Sequence, residues 1–167
     1  MNFDGISKAL QEKFGNESVI AVSDRAGDPF ISIPATKIVE TLSFLRDDSA
    51  FQFDCLSNLT GVDAPPDDLE VVYHLFSYPL RHSLTLKVKV PKSNPKLPTV
   101  EKIYPTANWQ EREAYDLLGM SFEGHSDLRR IMLPDDWIGH PLRKDYKEEN
   151  DFHGISTTRP PAFESRN

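Results

Sequence analysis

The sequence predicts a small α+β domain followed by a long extended C-terminal arm. Three observations support this fold class. Helical and strand periodicities alternate along residues 1–119, two neighbouring strand segments form a clear antiparallel pair, and regular periodicity ends after Gly119. We therefore divide the chain into an α+β domain, residues 1–119, and an arm, residues 120–167.

The N-terminal segment predicts a helix, a hairpin and a second helix. Apolar residues recur at helical spacing before Gly15 (Phe3, Ile6, Leu10 and Phe14). Two short β-branched or aromatic runs, residues 18–23 and 30–33, flank a Gly-Asp-Pro turn at 27–29 and predict a hairpin. Pro34 opens the second helix, whose apolar face carries Ile38, Leu42 and Leu45.

The middle of the chain predicts three strands. Residues 51–56 form the first, and the glycine and two prolines within 58–68 predict a loop after it. Residues 69–76 place Leu69, Val71, Tyr73 and Leu75 on one face, and residues 84–90 alternate apolar with polar side chains. The short connection between these two runs predicts an antiparallel pair. Four prolines in 91–105 predict a long crossover.

The helix that begins near residue 108 is the best specified element. Asn108 is a favoured N-cap, Glu111 stands three residues later as in a capping box, and Gly119 supplies the C-terminal stop. One face of this helix is apolar and predicts a core contact (Ala114, Leu117 and Leu118). The opposite face combines charges with a tryptophan, which is unusual for a face that meets only solvent (Trp109, Arg112, Glu113 and Asp116).

Residues 120–167 show only isolated apolar residues between prolines. A segment of this length without periodic elements is too long for an ordinary loop. Its large apolar residues favour an arm that lies on another surface at least as far as Tyr146. We expect the end of the tail to be flexible.

Composition excludes several classes of function. The single cysteine, Cys55, cannot close an internal disulfide, and an iron–sulfur cluster takes about four thiolates. The net charge of −7 falls entirely within residues 1–128 and argues against nucleic-acid binding, because that affinity comes from neutralising phosphates. The longest apolar runs span only a few residues and the start lacks a secretory pattern, so we expect neither a membrane-spanning helix nor a signal peptide.

The densest polar clusters are EREAYD at 111–116 and GHSDLRR at 124–130. One interpretation is acid/base chemistry by Glu113 and Asp116 with His125 as a titrating partner. The favoured interpretation is structural. It assigns Glu111 to the helix cap, Arg112 and Asp116 to a pair along the helix, and His125 to a turn contact.

The sequence predicts no metal site and no nucleophile. The five histidines lack the spacing of helical metal ligands, and His125 with Asp127 supplies too few ligands. The nucleophile-elbow, phosphate-loop and dinucleotide-binding motifs are missing from the sequence. Asp54 beside Cys55 disfavours a reactive thiolate.

Two basic pairs in the arm, Arg129-Arg130 and Arg143-Lys144, flank large apolar residues (Trp137, Ile138 and Leu142). Arginine beside apolar anchors is typical of protein–protein hot spots. We favour an interface over a solvated charge cluster, because these residues lie in a segment with no core of its own.

The longest joint pattern is the run ANWQEREAYDLLGMSFEGHSDLRRIMLP followed by DDWIGHPLRKDY. Its key positions are Glu111-Arg112-Glu113, Asp116, Leu117-Leu118, His125, Arg129, Ile131 and Met132. With LTGVDAP and LEVVYHLFS upstream, it resembles the C subunit of bacterial proton-pumping NADH:quinone oxidoreductase, a relative of the mitochondrial complex I thirty-kilodalton subunit, over about residues 51–146. Ser126 and Lys147 stand where that family usually has proline.

The resemblance implies a two-layer α+β domain with a mixed β-sheet packed by helices. It also implies a cofactor-free subunit of the peripheral arm on the cytoplasmic face of the bacterial inner membrane. Its partners would be the large quinone-pocket subunit and the small cluster-bearing subunit, while other subunits bind FMN, the iron–sulfur clusters, NADH and quinone.

No residue is assigned to catalysis, a cofactor or a metal. The residues expected at partner interfaces or in the family pattern are Trp109, Glu111, Arg112, Glu113, Asp116, His125, Arg129, Arg130, Trp137, His140, Arg143, Lys144 and Asp145. Arg129, Arg130, Arg143 and Lys144 are expected to pair with acids on a partner. The alternatives are the equivalent subunit of a ferredoxin-dependent or membrane-bound hydrogenase complex and, more distantly, a stand-alone hydrolase using Glu113, Asp116 and His125.

Overall fold

The computed structural model describes residues 3–17, 19–22 and 29–157. The predicted hairpin turn at 27–28 and the end of the tail, 158–167, lie outside the described residues. Three α-helices are described: α1 (Phe3–Phe14), α2 (Ile38–Asp47, preceded by a 3₁₀ turn at Ala35–Lys37) and α3 (Ala107–Leu118). The described strands are β1 (Ile20–Val22), β2 (Phe30–Ser32), β3 (Cys55–Ala64), β4 (Asp68–Ser77), β5 (His82–Pro91), β6 (Lys96–Pro98), β7 (Ser121–Glu123), β8 (Asp151–Phe152) and β9 (Ile155–Ser156).

The main sheet is mixed and has the order β1-β2-β5-β4-β3. The β1–β2, β4–β5 and β3–β4 pairs are antiparallel, whereas β2 and β5 run parallel. The predicted antiparallel pair of residues 69–76 and 84–90 is therefore confirmed. The fold class, a mixed sheet packed by helices, is confirmed as well.

One face of the sheet packs on the helices. Alternate residues of β4 and β5 point into a single core, as their period-2 pattern predicts. The apolar stripes of α1 and α2 close this core, and α3 packs on β3. On the opposite face β5 is polar, with an ion pair between Lys87 and Glu70 of β4.

The predicted loop at 58–68 is wrong in its first half, because β3 continues to Ala64 and pairs with β4 up to the Ala64–Asp68 contact. Gly61 suggested a loop, but it serves close packing inside a strand. A side chain at Gly61 would place its Cβ atom 2.5 Å from Leu118 Cδ1. The missing side chain therefore lets α3 lie directly on β3.

The predicted crossover contains β6, which pairs in parallel with β7 just after α3. Met120 and Phe122, the first apolar residues of the predicted arm, are buried in the core. The division of the chain at residue 119 and the extended arm stay predictions. Across the described ranges, we find no helix long and apolar enough to cross a membrane.

We expect Gly61→Ala to lower the free energy of unfolding by about 1–3 kcal/mol, because the new methyl group overpacks the α3–β3 contact. Urea unfolding of the full chain measures this change. Thr60→Val, at the exposed neighbouring position, is the control and should stay within about 0.5 kcal/mol of the parent. Equal stability of the Gly61 variant and the parent would contradict the packing argument.

Candidate functional site

A single buried carboxylate fixes the segment that follows β7. We call residues 124–146 the C-terminal segment. Asp116 of α3 is 0% exposed, and its Oδ2 accepts backbone N–H groups from Ile131, Met132 and Leu133 at 3.0, 2.7 and 3.0 Å. Its Oδ1 lies 2.9 Å from Arg130 Nη1. Three consecutive backbone groups and one guanidinium thus converge on one side chain.

This environment keeps Asp116 ionised. Burial by itself raises the pKa of the carboxyl group. The three backbone donors and the charge of Arg130 outweigh burial, so the pKa of Asp116 lies below its usual value. The charge therefore persists at neutral pH, and its hydrogen bonds are charge-assisted.

The C-terminal segment also caps the end of α3. The last carbonyl groups of a helix have no partner within the helix. Here Asp116 O accepts from His140 Nδ1 at 2.9 Å, and Leu118 O accepts from Arg143 Nε at 2.6 Å. Leu117 O accepts from the Leu142 N–H at 3.1 Å. The positive charge of Arg143 also lies at the negative end of the helix dipole.

Gly119 makes this close approach possible, and the predicted glycine stop is confirmed. Its φ of 72° lies in the left-handed region, as expected for a helix C-terminus. A Cβ atom at this position would lie 2.6 Å from the His140 ring and 2.9 Å from Arg143 Nη2. Both the backbone conformation and the packing of the C-terminal segment therefore require glycine.

Arg112 is buried, which corrects the prediction that it lies on an exposed polar face. Its Nε donates to Arg129 O at 3.3 Å, and its Nη1 lies 3.8 Å from Asp127 Oδ2. It does not pair with Asp116 along the helix, because Asp116 is occupied by the C-terminal segment. The guanidinium carbon of Arg112 lies 4.8 Å from the ring centroid of Trp109, a cation–π distance.

The predicted capping box at Glu111 is wrong. The helix begins at Ala107 after Thr106, and no side chain caps its first turn. Glu111 instead faces the core, where its carboxylate accepts from Thr99 Oγ1 at 2.5 Å and from the Val100 N–H at 2.8 Å. It therefore fixes the crossover strand region to α3 rather than closing the helix end.

Burial raises the pKa of Glu111 to about 7. The hydrogen bonds from Thr99 and Val100 act in the opposite direction but do not compensate for the lost solvation. The pKa values of the two buried carboxyl groups of α3 therefore shift in opposite directions. Burial raises the pKa of Glu111, whereas the donors around Asp116 outweigh burial and lower its pKa.

His125 joins the C-terminal segment to the start of α3. Its side chain is fully buried, and its Nε2 lies 3.1 Å from Asn108 O. Its Nδ1 accepts the Asp127 N–H at 3.0 Å, so Nε2 carries the proton and donates. Glu101 and Glu111 lie 3.6 and 3.9 Å from Nε2. The predicted turn contact fits this geometry.

Two further carboxylates hold the same part of the chain, and neither is among the residues predicted from the sequence. Glu101 accepts from Ser126 N–H at 2.9 Å and from Asn108 Nδ2 at 2.6 Å. Asp63, at the end of β3, accepts from the Lys144 N–H at 2.8 Å and lies 2.7 Å from Lys92 Nζ. Asp63 falls within the predicted loop at 58–68, where an acidic residue gives no signal of burial.

These contacts lower the pKa of both carboxyl groups. For Asp63 the largest cause is the hydrogen bond from Lys92, followed by the Lys144 N–H. For Glu101 burial is the largest influence and raises the pKa, but the hydrogen bonds from Asn108 and Ser126 outweigh it. Both groups therefore accept their donors as anions at neutral pH.

The basic residues of the C-terminal segment differ in their partners. Arg130 and Arg143 bind Asp116 and Leu118 O within the chain, and their expected pairing with acids of a partner stays a prediction. Arg129 is exposed and pairs with Asp127. The side chains of Lys144 and Asp145 are exposed, and their partner contacts stay predictions.

The fixed segment presents apolar side chains to solvent. Met132 and Ile138 are each 63% exposed, Leu142 is 57% exposed, and Trp109 of the adjoining helix is 63% exposed. Trp137 is half-buried against Phe152, with ring centroids 4.9 Å apart. A surface of large apolar side chains on a rigid backbone is typical of protein–protein contact.

The arrangement offers little for hydrolysis. Both carboxylate oxygens of Asp116 and both ring nitrogens of His125 are engaged in structural hydrogen bonds. Glu113 is exposed on another side of α3. The described residues also contain no group of three or more potential metal ligands.

Comparison with known proteins gives a consistent result. The family model described as "Respiratory-chain NADH dehydrogenase, 30 Kd subunit" matches residues 31–152. The C subunit of NADH-quinone oxidoreductase from Chloroherpeton thalassium is 43% identical over 153 residues, which cover 89% of this chain and 62% of that protein. The same subunit of Moorella thermoacetica is 39% identical, covering 86% of this chain and 95% of that protein. This chain spans about three-fifths of the first curated relatives that it matches.

Two solved structures are similar in fold. The trypsin-resistant fragment (1-134) of Nqo5 has a TM-score of 0.62 and 29% identity, covering 74% of this chain and 99% of the fragment. A chain of the membrane-bound sulfane sulfur reductase, an archaeal respiratory membrane complex, has a TM-score of 0.70 and 29% identity. That match covers 86% of this chain and 85% of the other.

We expect Asp116→Asn to release the C-terminal segment, because the amide lacks the charge that holds Arg130 and three backbone N–H groups. Tryptic cleavage at Arg129 and Arg130 should become about tenfold faster, since local opening exposes the chain. Mass spectrometry of the fragments measures the rate. Asp135→Asn, an exposed change in the same segment, should cleave at the parent rate, and equal rates for all three proteins would contradict the assignment.

Glu111 should make the fold less stable as pH rises. Its folded pKa of about 7 lies above the ordinary value of 4.5, so its contribution is complete below pH 4.5 and lost as pH rises through 7. The loss corresponds to about 3 kcal/mol. Urea unfolding measures this change. Between pH 4.5 and 7.5, the free energy of unfolding of Glu111→Gln should rise by about that amount relative to the parent. A constant difference across this range would refute the burial argument.

Proposed function

We propose a structural role for this chain, which belongs to the respiratory-chain NADH dehydrogenase 30 Kd subunit family. In this proposal, the chain is a cofactor-free subunit in the peripheral arm of a proton-translocating NADH:quinone oxidoreductase. In this role it stabilises the quinone-reducing module. Electrons pass from NADH through FMN and iron–sulfur clusters to quinone, all bound by other subunits. The complex lies on the cytoplasmic face of the bacterial inner membrane.

The observation that carries this proposal is the fixed C-terminal segment with its apolar outer side. The buried Asp116 side chain of α3 holds the segment's backbone, and His140 and Arg143 of the segment donate to backbone carbonyl groups at the end of α3. Met132, Ile138 and Leu142 of the segment and Trp109 of α3 are each exposed to solvent. Rigid apolar anchors bind a partner with little loss of conformational entropy. We assign this surface to the large quinone-pocket subunit, with the small cluster-bearing subunit as a neighbour.

Related complexes form a second candidate. The similarity to a chain of the membrane-bound sulfane sulfur reductase supports use of this fold in other respiratory complexes. The second candidate is therefore the equivalent subunit of a ferredoxin-dependent or membrane-bound hydrogenase complex. The chains that co-purify decide between these candidates, because a flavin-bearing NADH-input subunit marks the first. The engaged Asp116 and His125 argue against a stand-alone hydrolase.

Affinity purification of the tagged chain from native membranes tests the proposal. Subunits bearing iron–sulfur clusters and the large quinone-pocket subunit should co-purify, and the isolated chain should show no turnover. Met132→Asp should reduce their recovery about tenfold, since a charge enters an apolar contact, while the melting temperature of the free chain stays unchanged. Leu80→Asp, on the exposed β4–β5 turn, is the control and should leave recovery intact. Recovery of the chain alone would refute the proposal.

A further inference from the structure

The long strand β3 has an open side. Among the described residues, it is the last strand of the main sheet and pairs with β4 alone. In an antiparallel pair, alternate residues direct their N–H and C=O groups away from the neighbouring strand. Within the described ranges, no hydrogen bond from another element reaches these outward backbone groups of residues 55–64. The sheet can therefore accept one more strand on this side.

Residues 58–62 of β3 carry none of the usual features that block such pairing. Natural edge strands are usually blocked by lysine, proline, bulges or inward charges. Residues 55–64 contain no lysine, arginine or proline, and the one charge, Asp63, is held by Lys92 and the Lys144 N–H. The bulge lies at Leu56–Asn58, so residues 58–64 remain a regular strand.

Helix α3 overhangs this edge. Its core residues face β3, while Gln110, Glu113 and Leu117 form a stripe about a quarter of a turn away. This stripe and residues 59–61 of β3 line a groove, which Leu142 closes at one end. We call it the α3–β3 groove. Gln110 Oε1 is buried there without a hydrogen-bond partner among the described residues.

We propose that an extended segment of another protein chain adds to β3 as a further strand and lies in the α3–β3 groove. Backbone hydrogen bonds to β3 would supply the pairing, as in other cases of strand addition. The lining of the groove favours a segment that places apolar side chains against Leu117 and Leu142 and a basic side chain beside the exposed Glu113. An N–H donor would satisfy Gln110 Oε1.

A second copy of this chain fits the groove poorly. Two β3 strands paired about a two-fold axis would place both α3 helices on the same face of the joined sheet. Paired strands lie about 4.8 Å apart, whereas packed helices need about 8–10 Å between their axes. Because each α3 packs on β3, the two helices would overlap. A single strand without a helix above it avoids this clash.

This inference goes beyond the proposed function, because the edge of β3 and the stripe of α3 are separate from the surface of Met132 and Ile138. Amide hydrogen exchange of the full chain, alone and within the complex purified from native membranes, tests it. In the free chain, the amides of β3 that face β4 should exchange slowly and the alternate amides quickly. In the complex, the alternate amides of residues 58–64 should slow by about 100-fold.

Fast exchange of these alternate amides in the complex would overturn the proposal. So would protection in the free chain that rises with its concentration, since that outcome identifies a second copy as the occupant. The amides of residues 135–139, which lie outside the lining of the groove, report separately on the C-terminal surface. The proposed function can therefore fail while β3 is still protected, and the reverse outcome is equally distinguishable.

A matched pair of variants tests the groove itself. Glu113→Lys reverses the charge beside the proposed strand, and Glu123→Lys makes the same change at an exposed site on β7. The first should raise the dissociation rate of the chain from the complex about tenfold, and the second should leave it unchanged. Both free chains should keep the parent melting temperature. Equal dissociation rates for the two variants would contradict the groove.

Discussion

The buried carboxylate of Asp116 is the constraint on which the position of the C-terminal segment depends. Residues 130–133 form neither helix nor sheet, so their N–H groups cannot find partners in a regular ladder. One side chain supplies an acceptor for three of them and a counter-ion for Arg130. Without that acceptor, three backbone donors would be left without a partner beside α3.

Other polar contacts along α3 also hold irregular parts of the chain. Glu111 holds the crossover, His125 binds the start of the helix, and His140 and Arg143 bind its end. Asp63 fixes Lys144 further along the segment. A short helix thus organises a stretch of irregular chain through polar side chains, whereas its apolar side closes the core over β3.

Periodicity predicted the helices, the β4–β5 pair and the glycine stop, because each is encoded by neighbours in sequence. It failed at Gly61, where a glycine that permits close packing looks the same as a glycine in a loop. It also placed Arg112 and Asp116 on the surface, since charged residues are usually exposed. Their partners lie about 15 residues away in a segment without a period, so only the tertiary structure could reveal the burial.

The use of charge rather than apolar packing has a consequence for function. Buried ion pairs lose solvation, so they contribute less stability than an apolar contact of the same size, yet their directional bonds are satisfied in one arrangement only. The ion pair of Asp116 and Arg130 therefore defines where the C-terminal segment lies more than how strongly it is held. A positioned segment with Met132 and Ile138 outside suits a subunit whose role is to present a surface. We infer that the polar contacts of α3 prepare this surface before any partner arrives.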